Sequence, residues 1–432
     1  MSLDVFEQLE SVVRGYVRNF PAVFDRAQGA WLHDVDGKAY LDFFSGASVL
    51  NYGHNPPELK KALIDYISRD GITHSLDMAS KAKADFMQTF HDRILKPRGL
   101  NHKIQFPGPT GTNSVEAALK LVRKVTGREK VISFTNAFHG MTLGALSVTG
   151  NAFKRAGAGL PLTHSDTMPF YGYFGDEVDT IEYIDKMLQD QGSGVDLPAA
   201  VIVETVQAEG GVNVADLKWL KDLEALCRRY EMLFIVDDIQ MGCGRTGKFF
   251  SFEDAGLDPD IICLSKSISG YGLPLALTLI KPEYDIWEPG EHNGTFRGHN
   301  LAFITAAESL NRFWSDDSLS RETERKGELM RQGLLQIAAK HPDAKGTVRG
   351  RGMMQAIHFE NIDMAGTVSK HAFQRGLIIE TSGPDGEVLK LMPPLVTDDA
   401  DIQKGLEIID AALAEAVRLE GRDSQPVRVI RD

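Results

Sequence analysis

A chain of 432 residues is too long for one simple hydrophobic core, so two domains are the expectation. Its 43% apolar and 25% charged residues are ordinary for a soluble globular protein, and a formal charge of −13 argues against nucleic-acid and anionic-membrane partners, both of which need basic surface. Cys227, Cys243 and Cys263 are odd in number and share no metal-ligand spacing. The start, "MSLDVFEQLESVVRGY", has neither the basic head nor the apolar stretch of a signal peptide, and no apolar run approaches the ~20 residues of a membrane span. A reduced, cytoplasmic protein without a metal centre is expected.

Near the front, "AWLHDVDGKAYLDFF" alternates around Asp36-Gly37, which predicts a β-hairpin. From about residue 52, helices and strands alternate. "NSVEAALKLVRKV" places Val115, Ala118, Leu119 and Val122 on one helical face, and "EKVISF" follows as a strand. "AAVIVETV" reads as a buried strand and "ADLKWLKDLEALCRRY" as an amphipathic helix. "MLFIVDD", "DIICLSK" and "LALTLIK" are three more apolar runs, each closing on polar residues. Unbroken apolar strands alternating with helices predict an α/β fold, with a mostly parallel central sheet covered on both faces. After Trp314 the pattern changes: a long charged helix leads into "RGMMQAIHF", "GLIIET", "VLKLMPPLV" and a last helix from about Asp398. The expected organisation is a large domain over 52–315, a smaller α+β domain over 316–432, and an N-terminal segment, 1–51, joining the smaller one.

Ligands of open α/β sheets collect beyond the carboxyl ends of the strands, which singles out Glu204, Asp237, Asp238 and Lys266. "GCGRTGK", Gly242 to Lys248, has P-loop spacing. Phe249 stands where that loop needs Ser or Thr, and no strand runs directly into it, so ATPase chemistry is not expected. A cofactor with a phosphate, a pyridine ring and an aldehyde accounts for more. Thr110, Gly111 and Thr112 in "PGPTGTNSVEAAL" form a turn before a helix, suited to a phosphate, although any strand-to-helix turn uses such residues for capping. Phe138 and His139 in "NAFHGMTLGA" offer an aromatic face, although a lone Phe is more often core. A buried Asp237 would keep a ring nitrogen protonated, and an amine of depressed pKa at Lys266 would form a Schiff base with the aldehyde.

In their order along nearly the whole chain, "FHGMTLGALSVTG", "ETVQAEGGV", "IVDDIQMGCGRTG", "LSKSISGYGLPL" and "HNGTFRGHNLA" resemble the class III, ω-amino acid type aminotransferases of fold type I, which use pyridoxal 5′-phosphate. The resemblance implies that Lys266 binds the cofactor aldehyde and relays the proton, and that Asp237 pairs with the pyridinium nitrogen. Gln240 would bond the ring hydroxyl, Phe138 would stack on the ring, and Gly111 with Thr112 would hold the phosphate. Thr110, His139 and Glu204 are carried over as further cofactor neighbours. Thr295 falls where family members reach the phosphate of a neighbouring subunit, which implies a homodimer or higher homo-oligomer with shared sites.

Two departures bear on the substrate. Glu209 matches a glutamate that in several members pairs with a C-terminal arginine and releases it for glutamate, but Lys390 stands at the arginine's place. Met141 stands where many members carry a carboxylate-binding arginine, and Arg297 is a candidate replacement cation. A lysine lacks the two-pronged fork an arginine offers a carboxylate. With these departures, "PTGTNSVEAALK", "DDIQMGCGRTG" and "KLMPPLV" are similar to the branch of the family on the route to the compatible solute ectoine. In that branch L-glutamate aminates L-aspartate 4-semialdehyde. The alternatives are a class III enzyme acting on ornithine, acetylornithine or 4-aminobutyrate, and an aminomutase or racemase sharing the same apparatus.

Overall fold

The computed structural model describes residues 3–175 and 177–423. Residues 1–2 and 424–432, included in the segments 1–51 and 316–432, lie outside the described residues. A seven-stranded sheet forms the centre, in the spatial order Lys103–Gln105, Leu277–Ile280, Ile261–Leu264, Leu233–Asp237, Ala200–Val203, Val131–Phe134, Ser165–Met168. Only Leu277–Ile280 runs against its two neighbours; the other pairings are parallel.

Burial of both faces explains why these strands are apolar throughout. Val201, Val203, Phe234, Val236, Ile262 and Leu264 enter one core, while Ala200, Ile202, Leu233, Ile235, Ile261 and Cys263 enter the other. That is the period-2 alternation of a strand, with apolar residues on both sides. The helix Gly111–Thr126 covers the second face. Its Val115, Ala118, Leu119 and Val122 are fully buried, and each valine or leucine so buried stabilises by roughly 1.5–3 kcal/mol. Gly127 ends this helix in the left-handed region at φ +68, where a side chain would be strained.

The hairpin forms from Trp31–Asp34 and Ala39–Asp42. Asp34 Oδ1 accepts the N–H groups of Asp36 (3.0 Å) and Lys38 (2.9 Å), and Gly37 supplies the positive φ of the turn. Ala39–Asp42 then pairs in parallel with Leu377–Ile378, so the N-terminal and C-terminal segments share one sheet. A second, antiparallel sheet has the order Gly346–Arg351, Met354–Phe359, Val388–Leu391, Glu380–Ser382. The helices Ser318–Lys340, Met364–Gln374 and Asp399–Asp423 accompany these sheets.

The stretch "GCGRTGK" has a structural use. Arg245 is fully buried and bridges the parts of the chain: Nε donates to Ser48 Oγ (2.9 Å), Nη2 to Asn51 Oδ1 (2.6 Å), and Nη1 to the carbonyls of Pro393 (2.5 Å) and Met353 (3.2 Å). With Ser45 Oγ as a fifth partner (3.4 Å), the planar fork of arginine satisfies acceptors from three distant segments, which lysine's single ammonium could not arrange. Among the described residues no helix is long and apolar enough to cross a membrane.

Candidate active site

Asp237 closes its strand in register with Cys263 of the neighbouring parallel strand, and Lys266 follows that strand after two residues, so both reach the same carboxyl edge. Ser265 is extended, and Lys266 turns into the left-handed region at φ +53. A non-glycine residue held there costs on the order of 1–3 kcal/mol, and such strain gathers at functional sites. Close packing behind the turn holds it: Ser267 Oγ donates to the Ser48 carbonyl (2.6 Å), and a Cβ at Gly270 would meet Ser309 Cβ at 2.5 Å.

A cavity of about 260 Å³ opens at this edge. Gly111, Thr112, Phe138, His139, Glu204, Asp237, Gln240 and Lys266 all line it. Thr110 does not; it is the exposed N-cap of the helix Gly111–Thr126, and its Oγ1 accepts from Asn113 Nδ2 (2.8 Å). Glu209 and Lys390 lie behind Gln240 rather than on the wall. Thr295 and Arg297 are outside it as well. Thr295 is exposed, its carbonyl bound to His74 Nε2 (2.9 Å), and Arg297 donates to the Phe106 carbonyl (3.2 Å) in a separate hollow with Asp77 and Lys83. Met141 lines the cavity with an apolar side chain.

The buried polar groups are ordered around Asp237. His139 Nδ1 lies 2.7 Å from Asp237 Oδ2, and the Ile239 N–H donates to Oδ1 (3.2 Å). Burial pulls the His139 imidazole toward its neutral form, but the Asp237 carboxylate outweighs that and raises its pKa above the usual value. The other ring nitrogen, Nε2, is buried without a partner among the described residues. Glu204 accepts the Phe138 N–H (3.0 Å), and burial pushes its carboxyl up to about 8. Lys266 moves the opposite way: burial lowers its pKa although Glu209 opposes the shift, so more of the amine is neutral and nucleophilic.

A charged cluster backs the cavity. Lys390 is fully buried between Glu209 Oε1 (2.6 Å) and Glu380 Oε2 (3.1 Å), and Gln240 Nε2 donates to the same Glu209 oxygen (3.0 Å). Burial would lower the Lys390 pKa and raise that of Glu209, but their mutual attraction wins, holding Lys390 up and Glu209 down. Glu380 goes up, because burial outweighs the Lys390 ammonium. Glu380 and the nearby Tyr16 were not foreseen from sequence. Glu380 sits directly opposite Lys390 in the antiparallel pairing of "GLIIET" with "VLKL", a register that no motif encodes. Ile239 and Val206, apolar lining residues, carried no signal either.

This donor set fits pyridoxal 5′-phosphate. The first-turn N–H groups of the helix at Gly111 and Thr112 have no intrahelical acceptor and face the cavity with the positive end of the helix dipole. The backbone there has no room for side chains: a Cβ at Gly111 would meet Ile239 Cγ2 at 3.0 Å, and one at Gly140 would meet Thr112 Oγ1 at 2.3 Å. An aromatic face, a supported carboxylate and a buried amine complete the requirements of ring, ring nitrogen and aldehyde.

The sequence pattern of the family aminotransferase class-III matches residues 12–413. The diaminobutyrate--2-oxoglutarate transaminase of Streptomyces anulatus is 61% identical over 414 residues, covering 96% of this chain and 98% of that protein. The protein of the same name from Halalkalibacterium halodurans is 57% identical, covering 96% and 97%. Among solved structures, the ornithine aminotransferase from Toxoplasma gondii ME49 is similar with a TM-score of 0.83 at 28% identity, covering 97% of this chain and 95% of that one. A Bacillus anthracis aminotransferase shares the fold at a TM-score of 0.85 and 24% identity, covering 96% and 98%. The motifs, the strand-edge cavity and the match over residues 12–413 agree: the chain belongs to the class III aminotransferases, enzymes that depend on pyridoxal 5′-phosphate.

Proposed function

We propose that this aminotransferase carries the amino group of L-glutamate to L-aspartate 4-semialdehyde, releasing 2-oxoglutarate and then L-2,4-diaminobutyrate by a ping-pong route. The observation that carries the reading is identity of 61% and 57%, across 96% of the chain, to proteins named for diaminobutyrate and 2-oxoglutarate. When bound, pyridoxal phosphate supplies an electron sink that acidifies the C–H bond of the reacting carbon.

The chain's own residues do the rest. Gly111 and Thr112 would hold the phosphate at the helix N-terminus, and Phe138 would cover the ring. Asp237 would keep the ring nitrogen protonated, with His139 fixing the carboxylate's orientation through the 2.7 Å contact. Gln240 would bond the ring hydroxyl. Lys266 Nζ would hold the cofactor through its aldehyde and, freed by an amino substrate, would carry the proton away from the substrate carbon, serving as the proton carrier of both half-reactions. Burial and the depressed pKa of Lys266 support this role.

The holoenzyme's visible absorption is expected to bleach on addition of L-glutamate and to return on addition of L-aspartate 4-semialdehyde. Recovery only with other aldehydes or keto acids would keep the aminotransferase and reject this substrate pair.

We infer further that the enzyme is a cytoplasmic homodimer. Cys227, Cys243 and Cys263 are free and buried, which suits a reducing compartment. Thr295 is exposed and stands outside this chain's cavity, which supports the neighbouring-subunit role that the family resemblance implies for it. Sedimentation of the holoenzyme should give about twice the 47.6 kDa chain mass. A fully active monomer would refute the shared site.

A further inference from the structure

Phe138 lines the cavity, yet its ring joins none of the apolar cores among the described residues. What stands over that ring is a cation: Lys154 Nζ lies 4.2 Å from the ring centroid. Lys154 is not among the residues lining the cavity, and its ammonium has no carboxylate partner among the described residues. The ring of Phe138 is therefore the neighbour that this charge has, and it is reached from outside the cavity.

The backbone places the cation there. A short helix, Ala152–Ala156, starts at Asn151, whose Oδ1 accepts the Lys154 N–H (2.9 Å). Arg155 Nη1 ties the same helix to the chain that precedes it, donating to the carbonyls of Leu146 (3.1 Å), Ser147 (3.2 Å) and Thr149 (2.8 Å). The Gly150 N–H donates to the Ala137 carbonyl (2.8 Å), next to Phe138, and a Cβ at Gly150 would meet the Asn136 nitrogen at 2.9 Å. The segment that carries Lys154 is thus fastened to the segment that carries Phe138.

A ring outside a packed core can turn about its two side-chain torsions, and a ligand that stacks on it must first stop that motion. An ammonium on one face is held by the ring's negative quadrupole and restrains the ring before any ligand arrives. Resting on the reading above that Phe138 stacks on the cofactor, we propose that Lys154 is a positioning residue that holds the Phe138 ring for the pyridine ring from the side away from the cavity. Phe138 then stands between an ammonium on one face and the cofactor on the other. Lys154 acts through Phe138 and touches neither the phosphate nor the reacting carbon.

Pyridoxamine 5′-phosphate is the probe, because it carries the ring and the phosphate but forms no bond to Lys266. Titrated into the full chain freed of cofactor, it should bind Lys154→Met about two- to fivefold more weakly than wild type, the range of a partly exposed cation–π contact. Lys154→Arg, which keeps a cation for the ring, should bind as wild type does. Phe138→Leu should weaken binding at least as much as Lys154→Met, and adding Lys154→Met to it should weaken binding no further. Inorganic phosphate, which has no ring to stack, should bind wild type and Lys154→Met equally. Unchanged pyridoxamine 5′-phosphate binding in Phe138→Leu would refute the stacking reading, and Lys154 with it. A loss in Phe138→Leu with none in Lys154→Met would refute the Lys154 assignment alone. So would a Lys154→Met loss that persists beside Phe138→Leu, or one that inorganic phosphate shares, since either is the mark of a charge acting on the phosphate. Melting temperatures of the cofactor-free variants show whether any loss is one of folding; the Asn151 cap bonds the backbone of residue 154, so Lys154→Met leaves it in place.

Discussion

Lys266→Ala is expected to lower turnover by about 10⁴-fold or more, because one change removes both the nucleophile and the proton carrier. The fold should hold. Lys266 sits at a cavity rather than in a packed core, and the turn that carries it is fixed by Ser267 on the Ser48 carbonyl and by Gly270 against Ser309. The substitution leaves a small residue at φ +53, a strain the wild type already bears. Burial holds the wild-type amine below its ordinary pKa, so its neutral fraction is present at lower pH than for an exposed lysine. Exogenous amines should therefore restore part of the activity of Lys266→Ala, and more of it as pH rises and they lose their protons. Circular dichroism and melting temperature check the fold; turnover with L-glutamate checks the chemistry. A variant that turned over at the wild-type rate would remove Lys266 from the mechanism.

Much of this site was legible because strands buried on both faces must be apolar from end to end. Asp237 and Lys266 stand out for closing such runs, and the parallel register of their strands delivers both to one edge. Other features lay beyond what composition encodes. The run "LALTLIK" is as apolar as its neighbours, yet Leu277–Ile280 runs against them, since a strand buried on both faces reads the same in either direction. "GCGRTGK" could be rejected as a phosphate loop, but nothing local announces that Arg245 bonds groups at Ser48, Asn51, Met353 and Pro393, up to about 200 residues away. In sequence, Lys390 reads as a departure from an arginine. Its environment comes from a cross-strand partner, Glu380, whose position depends on the register of a hairpin rather than on any motif. Local patterns carry which residues end strands; long-range pairing decides which charges meet.

Lys390→Met tests that pairing most severely. Methionine matches the length of the side chain but removes the only ammonium that Glu209 and Glu380 touch among the described residues, leaving two carboxylates in a buried site. Breaking a buried ion pair by removing one partner typically costs about 3–5 kcal/mol, because the remaining charge stays unpaired. The pH dependence has a fixed sign. Glu209 is held below the usual carboxylate range, so its contribution is present above the unfolded-state value and is lost as pH falls through the folded one. Lys390 is held above the usual lysine range, so its contribution is complete below the unfolded-state value and is lost as pH climbs through the folded one. Between those limits wild type should exceed Lys390→Met in denaturant stability, and the gap should close in acid as the carboxylates of the variant take up protons. Adding Glu209→Gln and Glu380→Gln to Lys390→Met should recover most of the loss, because a neutral set of similar volume needs no counter-charge. A single-variant cost under about 1 kcal/mol, the range of an exposed pair, would mean that solvent reaches the cluster. In that case the carboxylates would be solvated in the variant, and the cluster would contribute to stability only as an exposed pair does.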